Sequence, residues 1–586
     1  MNRRWMAAAF VVAVSISSVN GQENPALRSL AEEYWDAKLE RNPTYATSLG
    51  DYRYNDRLDD LSPQGYERWR KRLVTLQHHV RELKTDGFSS DDQLTHALLD
   101  RVIGDELLGL SNESHQMPME PLEGPHLRLP LLLVSQPFRD PADFRAYVRR
   151  LEAFPKQVDG LIDAMDRGVA RRWVSPRVII NKVISQVRDL IVEDPTTSEL
   201  YKPAARLKDL PEDQRADLES ALRRAVETAV IPAYRKLETY LTETYYPKTP
   251  EAVGIGALSG GMAAYDKLIY LHMTRRATAK EVHELGLAEV ARLRDAMDAV
   301  RVEMKFDKPL DAFLWHMRTD PSYRFTSGQE LYAAADAHLQ RAKSQMPKLF
   351  GRLPKADCVM KEIEAFRAPA APVAYYNAPP EDGSRPAYYY INVYKPEERL
   401  RFTLEALTYH EAVPGHHLQI ALHQEMKDLP AFRRYASFTA FLEGWALYTE
   451  KLGYEIDGYK TPEDRFGQLT FEMWRACRLV VDTGMHAMGW SREKAIEFMA
   501  KNSSLAMHDI ESEIDRYISW PGQALAYKTG AIRVEKMRRD AEAALGDSFN
   551  VKDFHDAMLG GGAMPIDMLE TRMAAWLAGR KNQNRP

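Results

Sequence analysis

Cysteine is scarce in this chain. Cys358 and Cys477 are the only two in 586 residues, too few for a disulfide framework. Excess charge is missing too: Lys+Arg 79 against Asp+Glu 84 gives a net −5. That balance argues against a nucleic-acid partner held through phosphate neutralisation. There is no composition bias of the collagen-like, low-complexity or disordered kind, since hydrophobic residues make up 45% and charged residues 28%. A chain of this length can bury a large core without staples. Long apolar runs are absent as well. The longest, Trp5 to Val14, is about half of the ~20 residues that a membrane span needs. It follows Arg3-Arg4 and precedes the small and polar residues Ser15 to Gly21, the pattern of a secretory signal peptide over residues 1–22. No cysteine stands near its end to take a lipid. The expectation is an exported chain, residues 23–586, with no stable membrane insertion.

What is present is mostly helical periodicity. Residues 26–40, 66–83, 90–110, 141–167, 210–241 and 277–304 repeat apolar side chains at helical spacing. Thr278 followed by Glu281 predicts a capping box at the start of the last of these. Residues 23–350 therefore read as a mainly helical part, and the glycines of 254–261 as a plain loop without the P-loop lysine. Strand character comes later, in Val373 to Tyr376 and Ala387 to Val393, joined through the turn-forming stretch Ala378 to Arg385. The fold class predicted is mainly α, with a small β-hairpin or sheet beside the chemistry-bearing helix of residues 351–586.

That chemistry begins in the stretch LRFTLEALTYHEAVPGHHLQIALHQEM, which starts at Leu400. A His-Glu pair followed one turn later by a second His is the zinc-hydrolase arrangement: two imidazoles hold the metal and the Glu acts as general base. Here the spacing is longer, because Pro414-Gly415 stands before His416 and His417. On an unbroken helix His416 would lie about 240° around from His410, and His417 about 10.5 Å along. Neither would share a metal with His410. A loop at Pro414-Gly415, where proline removes an N–H and glycine tolerates a sharp turn, would bring His416 into the ligand position. His417 is the alternative ligand. Glu443, set among Phe441, Leu442, Trp445 and Ala446, would be costly as an unpaired carboxylate and is the expected third ligand. Glu450, seven residues on along the same face, is the expected supporting partner. The predicted metal set is thus His410, His416 and Glu443, holding Zn2+, with Glu411 as base.

The strings His410 to Gln419, Glu443 to Tyr448 and Trp520 to Lys528, with Thr47 to Asp51, resemble the bacterial domain-of-unknown-function family 885. Through it the chain is similar to the large helical zinc peptidases of the thimet oligopeptidase and angiotensin-converting enzyme type. Those too place a Gly before the second His, although their spacing is shorter. The resemblance implies a two-lobed helical shell around a deep cleft and a peptide substrate. It implies that Ala387 to Val393 pairs with substrate as an edge strand. It also implies a tyrosine donating to the oxyanion, Tyr527 with Tyr517 as rival, and His486 as a second donor. Arg475 and Arg478 share a helix face and could hold a substrate carboxylate, or pair with Glu472 or Asp482. The activity implied is hydrolysis of short or unfolded peptides. A zinc amidase or esterase would use the same residues, and a non-catalytic peptide-binding protein would have no need of Glu411.

Overall fold

The computed structural model describes residues 24–365, 368, 371–381, 383 and 385–583. Residues 1–22, read above as a signal peptide, lie outside them. The protein is mainly α-helical, with one three-stranded sheet among the described residues.

The helices start where side chains can satisfy the first orphan N–H groups. Asn24 accepts from Ala26 and Leu27 at the head of Pro25–Arg41, which buries Leu27, Ala31, Tyr34 and Leu39. The reading of residues 90–110 coincides with the helix Ser90–Leu110, opened by a Ser89–Asp92 capping box. The Thr278–Glu281 capping box is present, and its helix runs Ala279–Glu303. The long amphipathic run read over 210–241 is a succession of helical segments from Glu212 to Tyr245, widened to π turns at Val226–Val230 and Tyr240–Tyr245. Pro232, which has no N–H to return to Thr228, follows the first of them.

The sheet contains the expected hairpin and one strand more. Strands β1 (Cys358–Glu362), β2 (Ala374–Asn377) and β3 (Ala387–Ile391) lie in the order β1-β3-β2. β3 pairs parallel with β1, Met360 opposite Tyr389, and antiparallel with β2, Tyr376 opposite Tyr389. This corrects one expectation. β3 is the central strand, so both of its edges are already paired and it has none to offer a substrate. β1 escaped the sequence reading because CVMKE has no alternating pattern that marks a strand.

The largest apolar cluster joins Leu27, Tyr34, Leu73 and Ile103 to Tyr389, Leu404, Tyr409, Trp445 and Phe554. A second is drawn wholly from residues 61–245. In a third, Leu293 and Met297 pack on Met473, Cys477 and Val480. Both cysteines are free and buried, and no helix among the described residues is long and apolar enough to cross a membrane.

Candidate metal centre

Two short helices carry the histidines. Leu404–Glu411 ends one residue after His410, and His416–Glu425 starts a new helix at His416. Between them the backbone leaves the helix at Ala412 and re-enters after Gly415, with the His417 N–H reaching back to the Ala412 carbonyl at 3.0 Å. The loop predicted at Pro414-Gly415 is therefore a full helix break. Gly415 is required by close approach: a Cβ there would lie 1.9 Å from the His410 carbonyl oxygen and 2.4 Å from that of Tyr409. The turn is pinned from outside by Trp445, whose indole N–H donates to the Pro414 carbonyl at 3.0 Å.

Trp445 belongs to the glutamate helix, Thr439–Leu452, which runs beside the histidine segment. From it Glu443 reaches inward. His410 Nε2 and His416 Nε2 each lie 3.5 Å from Glu443 Oε2, and one ligand atom from each residue lies within 4.8 Å of the others. A distance of 3.5 Å is long for a hydrogen bond. It is close to the edge of a zinc tetrahedron, roughly 3.4 Å when ligands sit at 2.0–2.1 Å. Glu443 Oε2 is buried and has no hydrogen-bond partner, an orphan that a cation would satisfy. The donor set, two imidazoles and one carboxylate, fits zinc.

Around these three, the partners are fixed. His410 Nδ1 donates to Glu450 Oε1 at 2.9 Å, and Glu450 is fully buried with Arg475 Nη2 3.5 Å from the same oxygen. Burial pulls the His410 pKa down, but the carboxylates of Glu443 and Glu450 outweigh it and hold it at about 9. For Glu443 burial is in turn outweighed by His416 and His410, which keep its carboxyl well below the usual range. His417 points elsewhere. Its Nε2 meets the Ala356 carbonyl at 3.1 Å and its Nδ1 the Tyr376 hydroxyl at 3.2 Å. Glu411, the last residue of its helix, is half-buried, and its carboxylate is hydrogen-bonded to no described residue. Burial raises its pKa against the opposing pull of His410 and His416.

Over residues 43–573 the chain matches the profile of bacterial proteins of unknown function known as DUF885. The chain belongs to that family. A candidate lipoprotein from Colwellia psychrerythraea has a similar structure, with a TM-score of 0.88 and 27% identity, over 94% of this chain and 99% of that one. A candidate lipoprotein of unknown function from Shewanella oneidensis shares the fold, with a TM-score of 0.71 and 17% identity, over 94% and 99% of the two chains. No curated protein matches the chain.

In this DUF885 protein a further helix, Ala526–Leu545, brings Tyr527 to the centre. It crosses the glutamate helix at Gly444 and Gly530, where a Cβ on Gly530 would meet the Ala440 carbonyl oxygen at 2.2 Å. Only glycine permits that approach. Tyr527 then stacks beside His410, ring centroids 6.4 Å apart and planes 14° apart. Tyr517 is not equivalent. Its hydroxyl takes hydrogen bonds from Trp474 (2.9 Å) and Arg478 (2.7 Å) and donates to Glu513 (2.6 Å), which uses it up.

His486 does not fit the donor role expected for it. Its Nδ1 accepts from the Ile255 N–H at 3.2 Å and its Nε2 faces the Tyr517 carbonyl at 2.9 Å, so both nitrogens serve the backbone. Burial lowers its pKa to about 4, in keeping with a neutral ring. The arginines pair, as the structural alternative had it, but with other carboxylates. Arg475 faces Glu450, and Arg478 binds Glu513 at 2.9 Å. Glu472 is taken by Lys451, Lys528 and Arg292, and Asp482 by the Tyr265 hydroxyl and the Gly522 N–H. Two further residues shape the site: Trp445, which the sequence marks only as an apolar neighbour of Glu443, and Gly530, which it does not mark at all. Trp445 lies inside the Glu443 to Tyr448 string, which was the available signal; Gly530 lies two residues beyond Lys528 and had none.

Proposed function

We propose that this DUF885 protein is an exported zinc-dependent hydrolase, and that its substrates are short or unfolded peptides. The observation that carries the metal is the convergence of His410, His416 and Glu443 on one point, with Glu443 Oε2 buried and unpartnered. A zinc ion bound there would supply a Lewis acid that acidifies a water and polarises a carbonyl. Glu411, next to His410 and free of other hydrogen bonds, takes the proton of the attacking water and returns it to the leaving nitrogen. Tyr527 donates its hydroxyl to the oxygen that gains negative charge. Glu450 holds the His410 ring in the tautomer that turns Nε2 toward the centre. The peptide preference is supported by the likeness of HExxPGH and the Glu443 string to helical zinc peptidases. Export is supported by the leader at residues 1–22 and by the candidate lipoproteins of similar structure.

The test is metal content of the mature chain beside His416→Ala and His417→Ala. The expected result is about one zinc per chain, lost in the first variant and kept in the second. Peptide hydrolysis is then measured against Glu411→Gln. A chain that holds no zinc when zinc is offered refutes the reading, and turnover of acyl esters but not peptides moves the substrate class.

A further inference from the structure

The segment that delivers Tyr527 also determines what its hydroxyl can do. Trp520 to Lys528 turns through Gln523–Leu525 into the tyrosine helix, which sets Gln523 four residues before Tyr527. Arg516 Nη1 donates to Gln523 Oε1 at 2.9 Å. Gln523 Nε2 lies 3.4 Å from the Tyr527 hydroxyl.

The direction of these contacts follows from the groups themselves. A guanidinium only donates, so the amide oxygen of Gln523 must face Arg516. The amide nitrogen, which also only donates, is thereby turned to Tyr527. Tyr527 meets Gln523 as an acceptor, and its own proton remains for something else. Among the described residues no group takes it. At 3.4 Å the contact is long and adds little strength of its own; what it settles is that Gln523 offers the phenol no acceptor.

Arg516 is itself held. Its Nε and Nη2 bind the two oxygens of Glu513 at 3.1 and 2.8 Å, and Glu513 is braced by Arg478 and Tyr517. Arg478 also packs on the Tyr527 ring, 4.2 Å from its centroid. Tyr517 thus belongs to the frame that aims Tyr527.

We propose that Gln523 is a positioning residue: fixed by Arg516, it engages Tyr527 only as a donor and keeps the phenolic proton for an oxyanion at the His410–His416–Glu443 centre. The assignment rests on the zinc-hydrolase reading above. Gln523→Glu keeps the shape but puts an acceptor beside the phenol, which captures its proton. Gln523→Met keeps the bulk and leaves the proton free.

The readout is binding of a phosphinic analogue of tri-alanine, a stable tetrahedral anion, to the zinc-loaded mature chain by titration calorimetry, with zinc content measured for each variant. Gln523→Glu is expected to weaken binding roughly ten- to hundredfold, the worth of a hydrogen bond to a charged group, and as much as Tyr527→Phe does. In the Tyr527→Phe background the same change should cost less than about twofold, because nothing is left to capture. Gln523→Met should cost less than about threefold, well short of a lost charged hydrogen bond. Equal losses from Gln523→Glu with and without Tyr527, a Met variant as weak as the Glu variant, or a Tyr527→Phe variant that binds normally would each overturn the proposal. An unaltered chain that holds zinc but not the phosphinate overturns the hydrolase reading and this assignment with it; one that holds no zinc does so a step earlier.

Discussion

Gly530→Ala puts the geometry of the centre under direct test. In a solvent-exposed helix this change stabilises by about 0.8–1 kcal/mol, because alanine is the better helix former. At Gly530 the new Cβ would lie 2.2 Å from the Ala440 carbonyl oxygen and 2.8 Å from the Gly444 Cα, against ordinary contacts that begin at 3.4 Å. Both neighbours are backbone, so no side chain can swing away. The two helices must part by roughly 1 Å to restore contact distances. Overpacking of this kind costs about 1–3 kcal/mol, which offsets the propensity gain and leaves a net loss of up to about 2 kcal/mol. The displacement reaches the chemistry through the tyrosine helix, since Tyr527 lies one turn before Gly530. The hydrogen bonds tying the glutamate helix to the histidine segment, Trp445 to Pro414, Thr449 to Tyr409 and Gln419 to Phe441, are not in its path. Zinc content should therefore hold while turnover falls about 10²-fold, the order expected for a donor misplaced by 1 Å. Urea denaturation, metal analysis and peptide hydrolysis on the same preparation check all three. A variant that is more stable than the parent and equally active would refute the backbone contact. One that loses its zinc would refute the separation of the Tyr527 and ligand frames.

Trp445→Phe should strand the buried Pro414 carbonyl at a cost of about 1–3 kcal/mol and loosen His416, read as a lower melting temperature and weaker zinc binding. Glu450→Gln should lower zinc affinity about 10–100-fold without unfolding the chain, since it keeps a partner for His410 but removes the charge that makes the ring a stronger ligand; competition with a chelator measures it. Acid should destabilise the fold already below pH 6.5, with buried Asp482, raised to about 7, offsetting about one histidine's share. Burial holds His126, His272 and His486 at about 4 and His555 at about 3, while in the unfolded chain each binds its proton near pH 6.5. Between pH 6.5 and 4 the unfolded state therefore carries more protons, and stability present above pH 6.5 is lost as pH falls. At pH 5 each contributes a loss of about 2 kcal/mol relative to pH 7, read from denaturation midpoints; a flat profile from pH 7 to 5 would contradict the neutral histidines.

The helices and the grouping of His410, His416 and Glu443 were legible because both follow from short-range rules. Capping residues at Ser89 and Thr278 mark helix starts without tertiary information. Glu443 could be singled out because a carboxylate among Phe441, Leu442 and Trp445 needs a partner. His486 and the pairing of β3 were misjudged for the opposite reason. Whether a histidine's nitrogens are free depends on residues far off in sequence, here Ile255 and Tyr517. Whether a strand is central depends on a third segment, β1, that carries no pattern of its own.

The long HExxPGH spacing shows how the two kinds of information combine. Helical geometry alone says that residues six apart cannot share a metal, and that conclusion is correct for a helix. The helix is broken instead, and the break is specified in three places. Proline at 414 removes an N–H, glycine at 415 allows the chain to touch the His410 carbonyl, and Trp445, thirty-one residues on, fastens the turn. Since Trp445 sits two residues from Glu443, the helix that fastens the turn also brings Glu443 to the two histidines. The geometry of the His410–His416–Glu443 cluster and that of the turn are therefore one structure. A change at Trp445 should weaken zinc binding although its indole binds the Pro414 carbonyl and offers no metal-ligating atom, whereas loss of the ring of His417, which neighbours His416 in sequence, should leave it intact.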